Sequence, residues 1–198
     1  FDGSTSYLQF PYTQSQPNNF SVEAWIYPTS HSTDTNIGHQ LVIPYNGYNA
    51  WIFSLNGTGS YLQLRNHNYP TSSVAYNLTY GTGLSLNTWY HVAVSRQGTA
   101  LRLFLNGSLI NTITNGSALY DNTRAVAIGG RSDGTETAFV GYISNVRIVN
   151  GTDIYGANNT TITVPTAALT AITNTAFLSC QSNRFKDNSA NNLAITPS

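Results

Sequence analysis

Apolar residues recur at every second position along most of this chain. In Leu101-Arg102-Leu103-Phe104-Leu105 the leucines fall on one face and Arg102 and Phe104 on the other. From Tyr90 to Arg96, Tyr90, Val92 and Val94 alternate with His91, Ala93 and Ser95. A period of two belongs to strands, whose side chains point alternately to two faces. The pattern predicts strands over 7–10, 20–27, 41–44, 50–55, 61–65, 90–96, 101–105, 109–114, 125–129, 139–149, 176–181 and 193–196. The best helix candidate is a single turn near 167–171.

Turn residues punctuate these runs. Asn-Gly occurs at Asn46-Gly47, Asn56-Gly57, Asn106-Gly107, Asn115-Gly116 and Asn150-Gly151. The pair suits a type I′ hairpin, in which both central residues need positive φ. Strands 101–105 and 109–114 therefore form a hairpin across Asn106-Gly107, and Gln97-Gly98 links the strand before them. Residues 90–114 read as a three-stranded meander. Many short antiparallel strands without a helical pattern predict an all-β fold, an antiparallel jelly-roll β-sandwich of two sheets.

Composition narrows the function classes. The chain has 198 residues, enough for one domain with a sizeable core, and no linker-like break divides it. Only 8% of residues are charged and the formal net charge is zero. No basic patch is available to neutralise a phosphate backbone, which excludes nucleic acid as a partner. Asn, Ser and Thr supply a wet, uncharged surface, as in many secreted and virion proteins. Cys180 is the only cysteine, so no disulfide forms within the chain, and it reads as a small buried hydrophobe. No apolar run is long enough to span a bilayer. A start without Met is expected of a processed product or a portion of something longer.

His91, Ser95 and Arg96 raise the question of an active site. Positions i and i+4 on a strand share a face but lie about 13 Å apart, so His91 and Ser95 cannot exchange a proton directly. No Gly-x-Ser-x-Gly elbow appears. His91 reads as a hydrogen-bonded structural residue near a strand end. A surface shared by Arg96, Arg102 and Phe104 remains of interest. Sugar sites pair an aromatic platform with amide or acid hydrogen-bonders, and two segments have that composition. YNGYNAW contributes Tyr45, Tyr48, Asn49 and Trp51, and RNHNYP contributes Arg65, Asn66, His67 and Tyr69. Asn-x-Ser/Thr sequons begin at Asn19, Asn56, Asn77, Asn106, Asn115, Asn150, Asn158 and Asn159, which makes them glycosylation candidates.

The order FDGSTSYLQF, FSVEAWIYP, TWYHVAVSRQGTALRLFLNG, AIGG and FVGYISNVRIVNGTDIY resembles laminin-G-like domains of the concanavalin A-like lectin/glucanase superfamily. The resemblance implies a jelly-roll sandwich with residues 1–150 as its core. Residues 151–198 then form a crossing segment and closing strands. In many phage and marine microbial domains of this kind, a segment like FLSCQSNRFKDNSANNLAIT precedes the FDG block; here it follows. Two readings are open: circular permutation, with 176–196 returning beside 7–10, or donation of these strands to a neighbour. Folding back has the lower entropic cost.

The resemblance also frames chemistry. Glucanases of the superfamily use closely spaced carboxylates on one strand, and glycoside hydrolysis needs two carboxyl groups roughly 5–10 Å apart. Neither glutamate, Glu23 or Glu136, stands in a Glu-x-Asp-x-x-Glu pattern, so no enzyme is expected and glycoside hydrolase is the remote alternative. Some relatives bind one calcium at a sandwich edge. The candidates are Asp2 and Asp187, which fold-back would bring together, and Asp133 with Glu136. No cofactor is required, and a structural Ca is the one metal the loops could hold. The expected function is a non-enzymatic extracellular, cell-surface or virion-surface module, structural and glycan-binding or adhesive, in a tail fibre, filament or adhesin. Its partners would be glycans, copies of itself or neighbouring domains, without membrane insertion. A purely structural self-assembling subunit is the alternative.

Overall fold

The computed structural model describes residues 1–4, 6–12, 18–31, 39–43, 50–57, 60–68, 73–116, 125–131, 138–156 and 158–198. They form thirteen strands and no helix: β1 (Leu8–Phe10), β2 (Asn19–Pro28), β3 (His39–Ile43), β4 (Ala50–Asn56), β5 (Tyr61–Asn68), β6 (Ser73–Thr79), β7 (Tyr90–Gln97), β8 (Ala100–Leu105), β9 (Ser108–Thr114), β10 (Val126–Ile128), β11 (Gly141–Asn150), β12 (Thr175–Ser179) and β13 (Thr196–Pro197). A seven-stranded sheet runs β13-β1-β10-β3-β4-β5-β6 and a six-stranded sheet runs β12-β11-β2-β7-β8-β9. All named pairings are antiparallel.

Alternation decides what lies between the sheets. On β2, Phe20, Val22, Ala24 and Ile26 are fully buried and join Phe10, Phe53, Leu64, Val92, Leu103 and Ile148 in one core. The meander forms as the pattern predicts, with β7 paired to β8 and β8 to β9. Its second turn carries Asn106 at φ 47° and Gly107 at φ 83°, the positive values a type I′ turn requires. Gly107 has a second reason to lack a side chain. A Cβ there would sit 2.8 Å from the Ile162 carbonyl oxygen.

That contact belongs to a strap, residues 151–174, which crosses the outer face of the six-stranded sheet. The Ile162 N–H donates to the Gly107 carbonyl (2.7 Å) and the Leu109 N–H to that of Thr160 (2.8 Å). The Ile154 N–H donates to Ser21 Oγ (3.1 Å). Arg102 pairs with the Asp153 carboxylate and donates to the Gly156 carbonyl. Both faces of β8 are therefore buried, Leu101 and Leu103 in the core and Arg102 and Phe104 beneath the strap. Arg96 points elsewhere and donates to the carbonyls of Gly98 and Asn115. The three residues share no open surface.

The tail returns to its own sandwich and divides between the sheets. β12 pairs with β11 at the edge of one sheet, while β13 pairs with β1 at the edge of the other. Only 196–197 run beside β1, so the expected pairing of 176–196 along that strand is corrected. Phe177 of β12 stacks on Phe10 of β1 at 3.7 Å with 7° between the rings, which ties the tail to the core. The segment 167–171 contains no helix. The Leu169 N–H is spent on Asn145 Oδ1 (2.7 Å). β6 was not expected. Its alternating Val74, Tyr76 and Leu78 did carry the period, diluted by polar neighbours.

Candidate functional site

The outer face of the six-stranded sheet carries Ser21, Glu23, Trp25 and Tyr27 from β2. The register places Arg147 of β11 and Ala93 of β7 on either side of Glu23, and Ser144 and His91 on either side of Trp25. Glu23 is 1% exposed and His91 fully buried. His91 Nε2 lies 3.0 Å from Glu23 Oε2, and Arg147 donates twice to Oε1. Burial raises the Glu23 carboxyl, but the His91 hydrogen bond and the Arg147 charge outweigh it, and the group is held below its ordinary value. Glu23 is thus ionised, and His91 Nε2 carries the hydrogen. Tyr155 covers this layer and packs its ring on Phe104 at 5.6 Å. Burial and then the Glu23 charge push its phenol well above its ordinary value.

Beyond the strap's cover the same face opens into a cleft of about 530 Å³. Trp25 and Trp89 form one side, and Ser144 and Asn145 the floor. Residues 164–168 form the wall. A β-bulge between Ser144 and Arg147 shapes that floor. It places Asn145 at φ 53°, from where its side chain accepts the Leu169 N–H and its Nδ2 donates to Ser144 Oγ (2.9 Å). Arg147 Nη1 donates to the Thr170 carbonyl (3.0 Å), so two sheet residues fix the wall. Beside the cleft, Tyr27 packs against Trp89 at 5.4 Å and against Tyr142 at 5.8 Å. Trp89 is 44% exposed and Tyr142 63%. Trp25 packs on His91 at 5.5 Å, so the buried ionic layer supports the first ring of the cleft.

Of the sugar-contacting residues expected from sequence, the described ones lie on β4 and β5 of the other sheet. Trp51 is 1% exposed and part of the core; it shares its face with Phe53 and Leu55 and is no platform. Asn66 is fully buried opposite Trp51, and Arg65 is 8% exposed on the other face of β5. His67 lies in β5, its side chain outside what the structure describes. Tyr45, Tyr48, Asn49 and Tyr69 lie outside the described residues.

Both described calcium candidates, Asp2 and Asp187, accept backbone N–H groups. Asp187 is 1% exposed and its carboxylate is saturated. Oδ1 accepts the N–H groups of Leu178 and Ser189, and Oδ2 accepts the Leu193 N–H and the Ser189 hydroxyl. It organises the tail loop. Asp2 Oδ1 accepts the N–H groups of Ser4 and Ser6 and organises the first turn. The two carboxylates serve separate loops, and no group of three or more His, Cys, Asp or Glu side chains placed to hold a metal ion exists among the described residues. Asp133 and Glu136 lie outside them. Of the sequons, Asn77, Asn106, Asn158 and Asn159 are exposed, whereas Asn19, Asn56, Asn115 and Asn150 are half-buried. Asn150 Nδ2 is engaged by Tyr12 Oη.

Trp25, Tyr27, Trp89 and Tyr142 were not among the expected site residues. Alternation did place Trp25 and Tyr27 on the face of β2 opposite Val22, Ala24 and Ile26. Aromatic residues on a strand's polar face were the available signal.

The Laminin_G_3 family model, described as the concanavalin A-like lectin/glucanases superfamily, matches residues 2–152. No curated protein sequence matches the chain. Domain 4 of AbnA, a GH43 extracellular arabinanase from Geobacillus stearothermophilus solved with arabinotriose, superposes with a TM-score of 0.59 at 19% identity, covering 72% of this chain and 66% of that one. A putative carbohydrate binding protein from Bacteroides ovatus gives 0.61 at 17% identity, covering 100% and 60%. Domains LG4-5 of the mouse laminin alpha1 chain give 0.53 at 13% identity, covering 75% and 39%. The chain spans less than two thirds of each of these structures' length. At such identities the likeness is one of fold.

Proposed function

We infer, since the chain belongs to the laminin-G-like family of the concanavalin A-like lectin/glucanase superfamily, that it is a non-enzymatic recognition module that binds glycans. The observation that carries this reading is the open cleft lined by Trp25 and Trp89, continued by Tyr27 and Tyr142. A sugar ring offers a C–H face that packs on an aromatic ring, and its hydroxyls exchange hydrogen bonds with groups such as Ser144 and Asn145. Apolar walls with a few placed polar groups are the usual make-up of a ligand site. Two solved structures of this fold are sugar-related by name, one of them holding arabinotriose.

Glycosidase chemistry has little support among the described residues. Glu23 is buried, ionised and clamped by His91 and Arg147, the reverse of a general acid, which needs a raised carboxyl. Asp153, also on this face, is tied to Arg102. An uncharged polar surface and exposed sequons suit an extracellular, cell-surface or virion-surface setting, where the module would serve a fibre, filament or adhesin.

A glycan array read with the wild type and with Trp89→Ala tests the reading. Losing one stacking ring costs at least about 1.4 kcal/mol, a tenfold drop in affinity, so spots that light for the wild type should dim for the variant. No binding at high protein concentration would refute glycan recognition and favour a purely structural, self-assembling subunit.

A further inference from the structure

We propose that the cleft takes an uncharged glycan chain, bound along several sugars rather than by one terminal unit. This rests on the glycan-binding reading of the same cleft and adds the class of ligand.

The first ground is the length of the aromatic surface. Trp25 and Tyr27 are two residues apart on one face of β2, hence about 6.5 Å apart along the strand. Tyr142 stands directly across from Tyr27 in the neighbouring strand. Trp89 packs on Tyr27 at 5.4 Å, and Tyr142 packs on Tyr27 at 5.8 Å from its own side. The rings therefore form a strip that begins in the cleft at Trp25 and leaves it at Tyr142. One sugar ring covers one aromatic ring. A strip of this extent is filled only by linked sugars.

The second ground is charge. Trp25, Trp89, Ser144, Asn145 and residues 164–168 carry no ionised side chain. Among the described residues, Glu23 and Arg147 neutralise each other beneath the floor, and Asp2, which lines a separate cavity beside Tyr142, is an acid that would repel an anionic sugar. Arg102 is tied to Asp153 under the strap. Arg184 lines a different cavity, with Phe1, Tyr7 and Phe185. A uronate carboxylate or a sulfate entering the cleft would lose water without meeting a cation among the described residues, a cost that the ring contacts must then offset. A neutral sugar has no such cost. The binding equilibrium should accordingly be insensitive to salt, because no counterions are released and no charge is screened.

The test is titration calorimetry on the whole chain. The probes are neutral gluco-, xylo-, manno- and arabino-oligosaccharides from monosaccharide to pentasaccharide, with oligogalacturonates and heparin-derived oligosaccharides as the acidic arm. The expected result is affinity for at least one neutral series that rises at least tenfold from monosaccharide to tetrasaccharide and changes less than twofold between low and physiological salt. Tyr142→Ala, at an exposed position, should flatten that rise. Equal affinity for monosaccharide and tetrasaccharide, or preference for an acidic series with strong salt dependence, overturns the proposal and leaves glycan binding standing. Absence of binding in every series overturns both.

Discussion

Glu23→Gln removes one charge from the buried layer beneath the cleft and keeps the side chain's shape. The Arg147 guanidinium, whose side chain is 11% exposed, then loses its only described carboxylate, and a single amide oxygen is left where two carboxylate oxygens served Arg147 and buried His91 separately. Breaking a buried pair in this way costs about 3–5 kcal/mol. Arg147 keeps the Thr170 carbonyl and some water, which puts the expected loss near the lower end, about 3 kcal/mol. With an m-value of about 2–3 kcal/mol/M, the urea midpoint should fall by roughly 1–1.5 M. The effect carries a pH signature. Glu23 titrates below its ordinary 4.5 in the folded chain. As pH falls past that value the unfolded chain takes up the proton first, so the stability contributed by Glu23 is full above it and drains away as pH falls through the lowered folded value. The gap between wild type and Glu23→Gln should therefore be widest at neutral pH and narrow as the solution is acidified. A midpoint shift worth less than about 1 kcal/mol at pH 7, or a gap that stays constant under acidification, would refute the structural role assigned to Glu23.

Phe177→Ala deletes the ring stacked on Phe10 and should cost about 3–5 kcal/mol, lowering the melting temperature by roughly 10 °C in calorimetry; an unchanged melt would mean that the tail is not seated on the core. Burial pushes the Cys180 thiol up to about 11. Its alkylation by iodoacetamide at pH 8 should then be about two orders of magnitude slower in the folded chain than in urea, and equal rates would show the thiol to be open.

Local chemistry made the meander legible. Asn106-Gly107 adopts the two positive φ values that the dipeptide predicts, and strands 90–114 follow from alternation without help from the rest of the chain. The strap and the division of the tail were not legible, because what holds them is side chain to distant backbone: Arg102 to Gly156, Arg147 to Thr170, Asp187 to Leu178 and Leu193. At 167–171 the sheet's bulge claims a backbone donor that the expected turn of helix would have used. The site shows the same split. Composition pointed to Trp51 because it sits among Tyr and Asn, whereas its register with Phe53 and Leu55 assigns it to the core. The cleft draws Trp25 from β2, Trp89 from the turn before β7, Ser144 and Asn145 from β11, and a wall from the strap. No window along the sequence contains such a site.

The position of β13 has a kinetic meaning. β1, at 8–10, finds its first partner strand at 126–128 and its second at 196–197. Strands β4 to β6 and β7 to β9 pair with near neighbours in sequence and can form early, but β1 must wait for β13. Such long-range closure raises contact order and slows folding. During vectorial synthesis β1 and β11 stay uncovered on one side until β13 and β12 emerge. An unsealed edge is a template for pairing with another chain. Strands β12 and β13 thus act as the step that commits a nascent chain to its own sandwich.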